Sequence, residues 1–199
     1  MPTLRKPSPG AVRAFIAARA PLVPTYPDVG ATATGPPAGY AVDHTRAAVG
    51  EGERAFRAAR AALGRWKQFD LGWVEAVPAD TPLATGACVG VLARVAGLWW
   101  LNACRIVYTV DEVSDTAARF GFAYGTLPGH AASGEERFLV EWDRVGGSVS
   151  YDIVAFSRPT HPLARLGYPL MRRTQKRFGR DSVAAMTRAV AMTRAVASG

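Results

Sequence analysis

Between Arg105 and Arg158 the sequence carries the side chains that a binding pocket or a proton-transfer site would use. Tyrosine, histidine and glutamate each move protons, and a buried arginine binds a carboxylate or a phosphate. Pairing of neighbouring strands would bring Arg105, Tyr124, Glu136 and Tyr151 together, and turn residues would add His130 and Arg158. Tyr108 joins them as an aromatic wall residue. Glu136 stands out, because the run EERFLVEWD puts it on the side of its strand shared with Phe138, Val140 and Trp142. A carboxylate on an apolar face needs a partner or a raised pKa. Its neighbour Glu135 falls on the other side and is expected to be solvated. The competing reading of the same residues is an Arg105–Glu136 ion pair with tyrosines that simply pack.

The elements that must position these residues are mostly strands. Ser8-Pro9-Gly10 starts a short helix over 11–20, after a loose lead-in over 1–10. Prolines and glycines make 26–39 a turn-rich loop. A strand over 40–49 then leads into an amphipathic helix over 52–69, with Ala55, Phe56, Ala59, Ala62, Leu63 and Trp66 on one face. Strands follow over 73–77, 86–95, 98–110, 119–127, 135–143 and 148–157, punctuated by Pro128-Gly129 and Gly146-Gly147. From Pro162 to about Val196 the pattern is helical, with a kink or break expected near Tyr168 because Pro169 lies inside it, and a weak point at Gly179. Short hairpin links make the sheet antiparallel. The expected fold is therefore α+β: a curved antiparallel sheet of six to seven strands, a helix after the first strand and a long C-terminal helix, forming one domain over 11–196.

Length and composition bound the function. At 199 residues and 49% hydrophobic the chain can bury one sizeable core. Its longest apolar run, VAGLWWL over 95–101, is too short for a membrane span. Arg13 and Arg19 interrupt the apolar part of the N-terminus, which argues against a secretory signal and for a cytoplasmic protein. The net charge of +8 comes mainly from scattered arginines, and only 172–180 is densely basic. That cluster reads as a solvated helix face, and without interleaved aromatics it lends nucleic-acid binding little support. His44, His130 and His161 are isolated from one another, so no metal and no cofactor is expected. No GxSxG elbow or phosphate loop is present, and VGEGERAF reads as a tight strand-to-helix turn. Cys88 and Cys104, both in strands, read as free buried thiols.

The blocks TYPDVGAT, VGEGERAF, NACRIVYTVDE, FGFAYGTLPGH and GEERF, with SVSYDIVAFSRPTHPLARLGYPLMRRTQKRF, resemble the family known as domain of unknown function 1990. The resemblance runs from about residue 13 to 190. The order of elements is similar to that of the helix-grip fold, used by birch-pollen-allergen-like and START-like lipid-binding proteins. That likeness implies an enclosed, mostly apolar pocket closed by the C-terminal helix. A small apolar or amphipathic ligand, lipid-like in character, is the expected partner. An enzyme using Tyr124, His130 or Glu136 as acid or base is the alternative, and a basic helix binding anionic lipid or nucleic acid is a third. The tandem MTRAVA at 186–197 looks particular to this chain.

Overall fold

The computed structural model describes residues 2–160 and 167–196, with side chains as far as residue 193. Seven strands form one antiparallel sheet: β1 (Ala41–Glu51), β2 (Val74–Val77), β3 (Cys88–Val95), β4 (Leu98–Val113), β5 (Ala117–Thr126), β6 (Ala132–Asp143) and β7 (Ser148–Pro159). Their spatial order is β1-β7-β6-β5-β4-β3-β2. β2 to β7 thus run as a meander of neighbours, and β1 closes the far edge beside β7. Local chemistry makes the turns. At the β6–β7 hairpin Asp143 Oδ1 accepts the N–H groups of Val145 and Gly146 at 3.0 and 2.9 Å, and Gly147 takes φ +81°.

The helices are α1 (Pro9–Ala17), α2 (Ala31–Thr34), α3 (Gly52–Gly64) and the C-terminal α4 (Tyr168–Val196), with a 3-10 turn at Lys67–Phe69. The helix expected over 52–69 stops earlier because Trp66 adopts φ +56°, which breaks the α-helical ladder. Its Nε1–H finds the Thr81 carbonyl at 2.8 Å. α3 buries Ala55, Phe56, Ala59, Ala62 and Leu63 against the sheet. The core lies between the concave face of the sheet and α3 with α4. Phe122 and Phe138 are fully buried there beside Phe69, Met186 and Val190. Each such side chain contributes roughly 1.5–3 kcal/mol through burial.

A smaller apolar cluster occupies the convex face. Val12, Phe15 and Ile16 of α1 pack on Leu92, Leu101 and Trp99. Ser8 caps this helix, accepting the Ala11 N–H at 3.3 Å. The lead-in expected to be loose meets the sheet: Thr3 and Trp99 exchange backbone bonds of 2.9 and 2.8 Å, and Lys6 pairs with Glu75 of β2 and lies over the Trp99 ring at 5.4 Å.

The break expected near Tyr168 coincides with the described start of α4. The helix begins at Tyr168, so Pro169 sits in the first turn, where its missing N–H costs nothing. Leu163 and Leu166, assigned to the same helix from sequence, lie outside the described residues. Gly179 does not weaken α4 visibly. It lets the helix approach β1 closely, since a Cβ there would stand 2.8 Å from Thr45 Oγ1. Gly179→Ala is therefore expected to lower stability with Thr45 in place. In a Thr45→Ala background the same change raises it by up to about 1 kcal/mol through helix propensity. A double-mutant cycle of chemical denaturation curves measures this; simple additivity would refute the packing role.

Candidate functional site

The pleat of β6 sends Glu135 and Glu136 to opposite faces of the sheet. On the concave side Glu136 stands directly across from Tyr124 of β5. The Tyr124 hydroxyl donates to Glu136 Oε2 at 2.7 Å. Both line a cavity of about 290 Å³ between the sheet and the first half of α4. Phe69, Trp73, Val91, Ala93, Trp100, Ile153 and Ala155 supply apolar side chains to its wall. Leu170, Met171 and Phe178 of α4 cover it. Phe69, Tyr124 and Phe178 belong to one aromatic cluster, with ring centroids 5.2 Å apart for Phe69–Phe178 and 6.2 Å for Phe69–Tyr124.

The electrostatics of this wall are unusual for a carboxylate. Burial raises the Glu136 carboxyl to about 7; the Tyr124 hydrogen bond works against that rise and the charge of Asp43 adds to it. Glu136 is half-buried, with the cavity opening beside it. Burial, the charge of Glu136 and that of Cys104, in that order, push the Tyr124 phenol well up, so it remains a donor at neutral pH. Burial lowers the His130 imidazole to about 4. It is neutral, and its Nδ1 accepts the Ala132 N–H at 3.0 Å, which places the ring hydrogen on Nε2. The His130 loop is held by Asn102, whose Oδ1 accepts the Ala131 N–H at 3.1 Å. At the β1 edge Arg172 of α4 grips Asp43 through two bonds of 2.5 and 2.7 Å. Beside it Gln175 Nε2 donates to Ser157 at 2.8 Å.

The cavity excludes the other candidates. Arg105 opposes Gly125 on the convex face, because Cys104 and Ile106 on either side of it point inward. Its guanidinium donates to the carbonyls of Ala20 and Leu22. It therefore forms no pair with Glu136. Tyr108 faces outward as well: a bulge between Ile106 and Tyr108 shifts the alternation by one residue. Tyr151 is concave but fully buried beyond the cavity, with its hydroxyl 2.9 Å from Ser182 of α4. Arg158 is exposed and stacks over the Tyr40 ring at 4.8 Å. Of Trp99 and Trp100, only the second enters the wall. Among the described residues no three His, Cys, Asp or Glu side chains gather as metal ligands.

Glu135, expected in solvent, is instead 2% exposed. Oε2 accepts the Tyr26 hydroxyl and the Gly30 N–H, both at 2.7 Å. Oε1 accepts the Thr32 N–H at 2.9 Å and its hydroxyl at 2.5 Å. The Tyr108 hydroxyl reaches Thr32 Oγ1 at 2.7 Å. Residues 19–34 thus form a strap across the back of the cavity wall, with Tyr26 lying where a Gly125 Cβ would be. Farther along the convex face, Asp152 is buried among His44, Arg137 and Arg46. Burial alone would raise its carboxyl, but the hydrogen bonds from His44 and Arg137 bring it below the usual range.

Comparison with known proteins gives this architecture a family. The model for a domain of unknown function, DUF1990, matches residues 25–185. The chain belongs to the DUF1990 family. The same relationship appears in the UPF0548 protein of Dictyostelium discoideum, 41% identical over 158 residues, which cover 76% of this chain and 73% of that one. The UPF0548 protein of Deinococcus radiodurans is 40% identical over 198 residues, covering 94% and 97%. The UPF0548 protein At2g17695 of Arabidopsis thaliana is 37% identical over 155 residues, covering 76% and 74%. Among solved structures, a hypothetical protein from Helicobacter pylori aligns with TM-score 0.47 and 12% identity over 83% of this chain and 96% of that one. Ara h 8.0201 aligns with TM-score 0.45 and 12% identity over 77% and 99%. The curled sheet and long C-terminal helix of this DUF1990 chain have the helix-grip form.

The two adjacent glutamates predict opposite mutational signs. Glu135→Gln puts an amide N–H₂ among four donors and should cost about 2–4 kcal/mol. Glu136 has a raised folded pKa, so the native state holds its proton where the unfolded chain has released it. Its contribution to stability is present below about pH 4.5 and is lost as pH rises to about 7. Glu136→Gln should remove that loss and stabilise the protein at pH 8 by about 1–3 kcal/mol. Denaturant unfolding of both variants from pH 5 to about 8 measures this; equal signs at pH 8 would contradict the assignment.

Proposed function

We propose that this chain is a small-molecule binding protein whose ligand is apolar or amphipathic and sits between the concave sheet and α4. One observation carries the reading: a cavity of about 290 Å³ with a mostly apolar wall and the hydrogen-bonded Tyr124–Glu136 pair set into it. A pocket of that kind holds a ligand by burying its apolar body and orients it by a few polar groups. The protein works as one domain over 11–196, in the cytoplasm, without metal or cofactor. The free thiols of Cys88 and Cys104 suit a reducing compartment. The basic helix is a weaker candidate for the binding surface, because Arg172 is engaged by Asp43, and Arg177 by Asp181 and the Trp73 ring.

A second reading draws on the same pair. A carboxyl with a pKa of about 7 is poised as general acid or base at neutral pH. On that reading Glu136 exchanges a proton with the bound molecule, and Tyr124 orients it.

Native mass spectrometry of the purified protein should reveal a co-purifying small molecule. Ala155→Phe would place a ring inside the cavity and should eliminate that species while the variant still folds. An identical ligand load in Ala155→Phe would place the binding elsewhere and overturn the proposal.

A further inference from the structure

The cavity also constrains the chemistry of what enters it. Resting on the reading above, we propose that the ligand carries a protonated amine, held as an ammonium ion against Glu136 and between aromatic ring faces. Of the three acidic residues along the cavity, Glu135 turns its carboxylate to the convex face, while Asp43 and Glu136 face inward with different partners. Asp43 is neutralised by the two-point grip of Arg172. Glu136 has the Tyr124 hydroxyl as its hydrogen-bond partner, and among the described residues no cationic side chain forms an ion pair with it. A carboxylate has about four acceptor positions, so one donor leaves it largely unsatisfied. A buried charge without a counter-ion is expensive, and a ligand cation supplies one.

The surroundings favour a cation over other head groups. Phe69, Trp73, Trp100, Tyr124 and Phe178 line the same cavity. Aromatic faces attract an ammonium group through the ring quadrupole, more strongly where water is excluded. An anionic ligand would meet Glu136 with like charge. A hydroxyl would find a protonated Glu136 and make only neutral hydrogen bonds, about half as strong as charge-assisted ones. The groups around Glu136 are Tyr124 on β5, Asp43 on β1 with Arg172 of α4, Cys104 on β4, Tyr151 on β7 and His130 in the β5–β6 loop. His130 is neutral at pH 7 and so offers no repulsion.

The proton balance gives the inference its signature. An aliphatic amine is already protonated below pH ~10. Its arrival as an ammonium ion turns the Glu136 carboxyl into carboxylate, and the displaced proton goes to solvent. Binding at pH ~6 should therefore release close to one proton per ligand, and at pH ~9 almost none.

The test uses the full chain and a matched series: butylbenzene, phenylbutanol, phenylbutyric acid and phenylbutylamine. Quenching of Trp73 and Trp100, which line the cavity, reports occupancy. Calorimetry in buffers of different ionisation enthalpy reports protons. The expected result is that the amine binds at least about tenfold tighter than the alcohol, that the acid binds weakest, and that proton release follows the stated pH trend. Glu136→Gln, checked for folding by its thermal transition, should bring the amine-to-alcohol ratio down to about one. If the alcohol or the acid binds as well as the amine, or if Glu136→Gln keeps the preference, the amine assignment is wrong while the cavity reading stands. If none of the four probes, the hydrocarbon included, quenches either tryptophan, the cavity reading fails and the amine inference with it.

Discussion

One strand step separates two carboxyl groups with opposite circumstances, and the molecule is arranged around that step. The pleat of β6 cannot send neighbouring side chains to the same face. Glu135 therefore goes to the convex side, where four donors from residues 26–32 satisfy it. Glu136 goes to the concave side, where one phenol does. The first carboxylate ties a segment distant in sequence to the back of the sheet. The second leaves unused acceptor capacity in an apolar space. A slip of one residue in the β5–β6 register would exchange their roles, and Gly125 beneath Tyr26 and Gly134 against the backbone of β7 accept no side chain there.

The cavity exists because α4 meets the sheet unevenly. At Gly179 the helix comes against Thr45, and farther along Met186 and Val190 enter the core. Toward its N-terminus the helix stands off, held by Arg172 on Asp43 and by Gln175 on Ser157 instead of by apolar packing. Polar clamps at the rim hold the helix at a distance, and the space beneath stays unfilled. Desolvation in that space exceeds the one hydrogen bond given to Glu136, which is why its pKa moves up to about 7.

Much of the fold could be read from the residues. Alternation in EERFLVEWD and in FGFAYG set the inward faces of β5 and β6, and the Tyr124–Glu136 contact followed from them. The order of strands and the two long helices followed from turn chemistry and periodicity. What escaped were effects of distant partners. Nothing in the local sequence of Glu135 announces that Tyr26, Gly30 and Thr32 will cover it, so an outward carboxylate read as solvated. Tyr108 was misplaced because a bulge leaves no mark in a run such as RIVYTV. Arg105 looked like a partner for Glu136 until its parity was set against Cys104 and Ile106. Pro169 did mark a break near Tyr168, where the described helix starts. Phe178 was visible as part of an apolar stripe, yet Asp43, Asn102 and Gln175 gave no signal, since each acts through a residue far away in the chain.

The strap has a mechanical consequence for the pocket in front of it. An open sheet can usually flex along its strands to admit larger guests. Here Tyr26, Thr32 and Arg105 fasten a second layer to the rear of β4, β5 and β6, directly behind Tyr124 and Glu136. A wall braced from outside bends little, so the compliant part of the enclosure is α4 and its rim. Under the proposed binding role, accommodation of different guests would fall to the helix, and the polar end of a guest would meet a surface of nearly fixed shape.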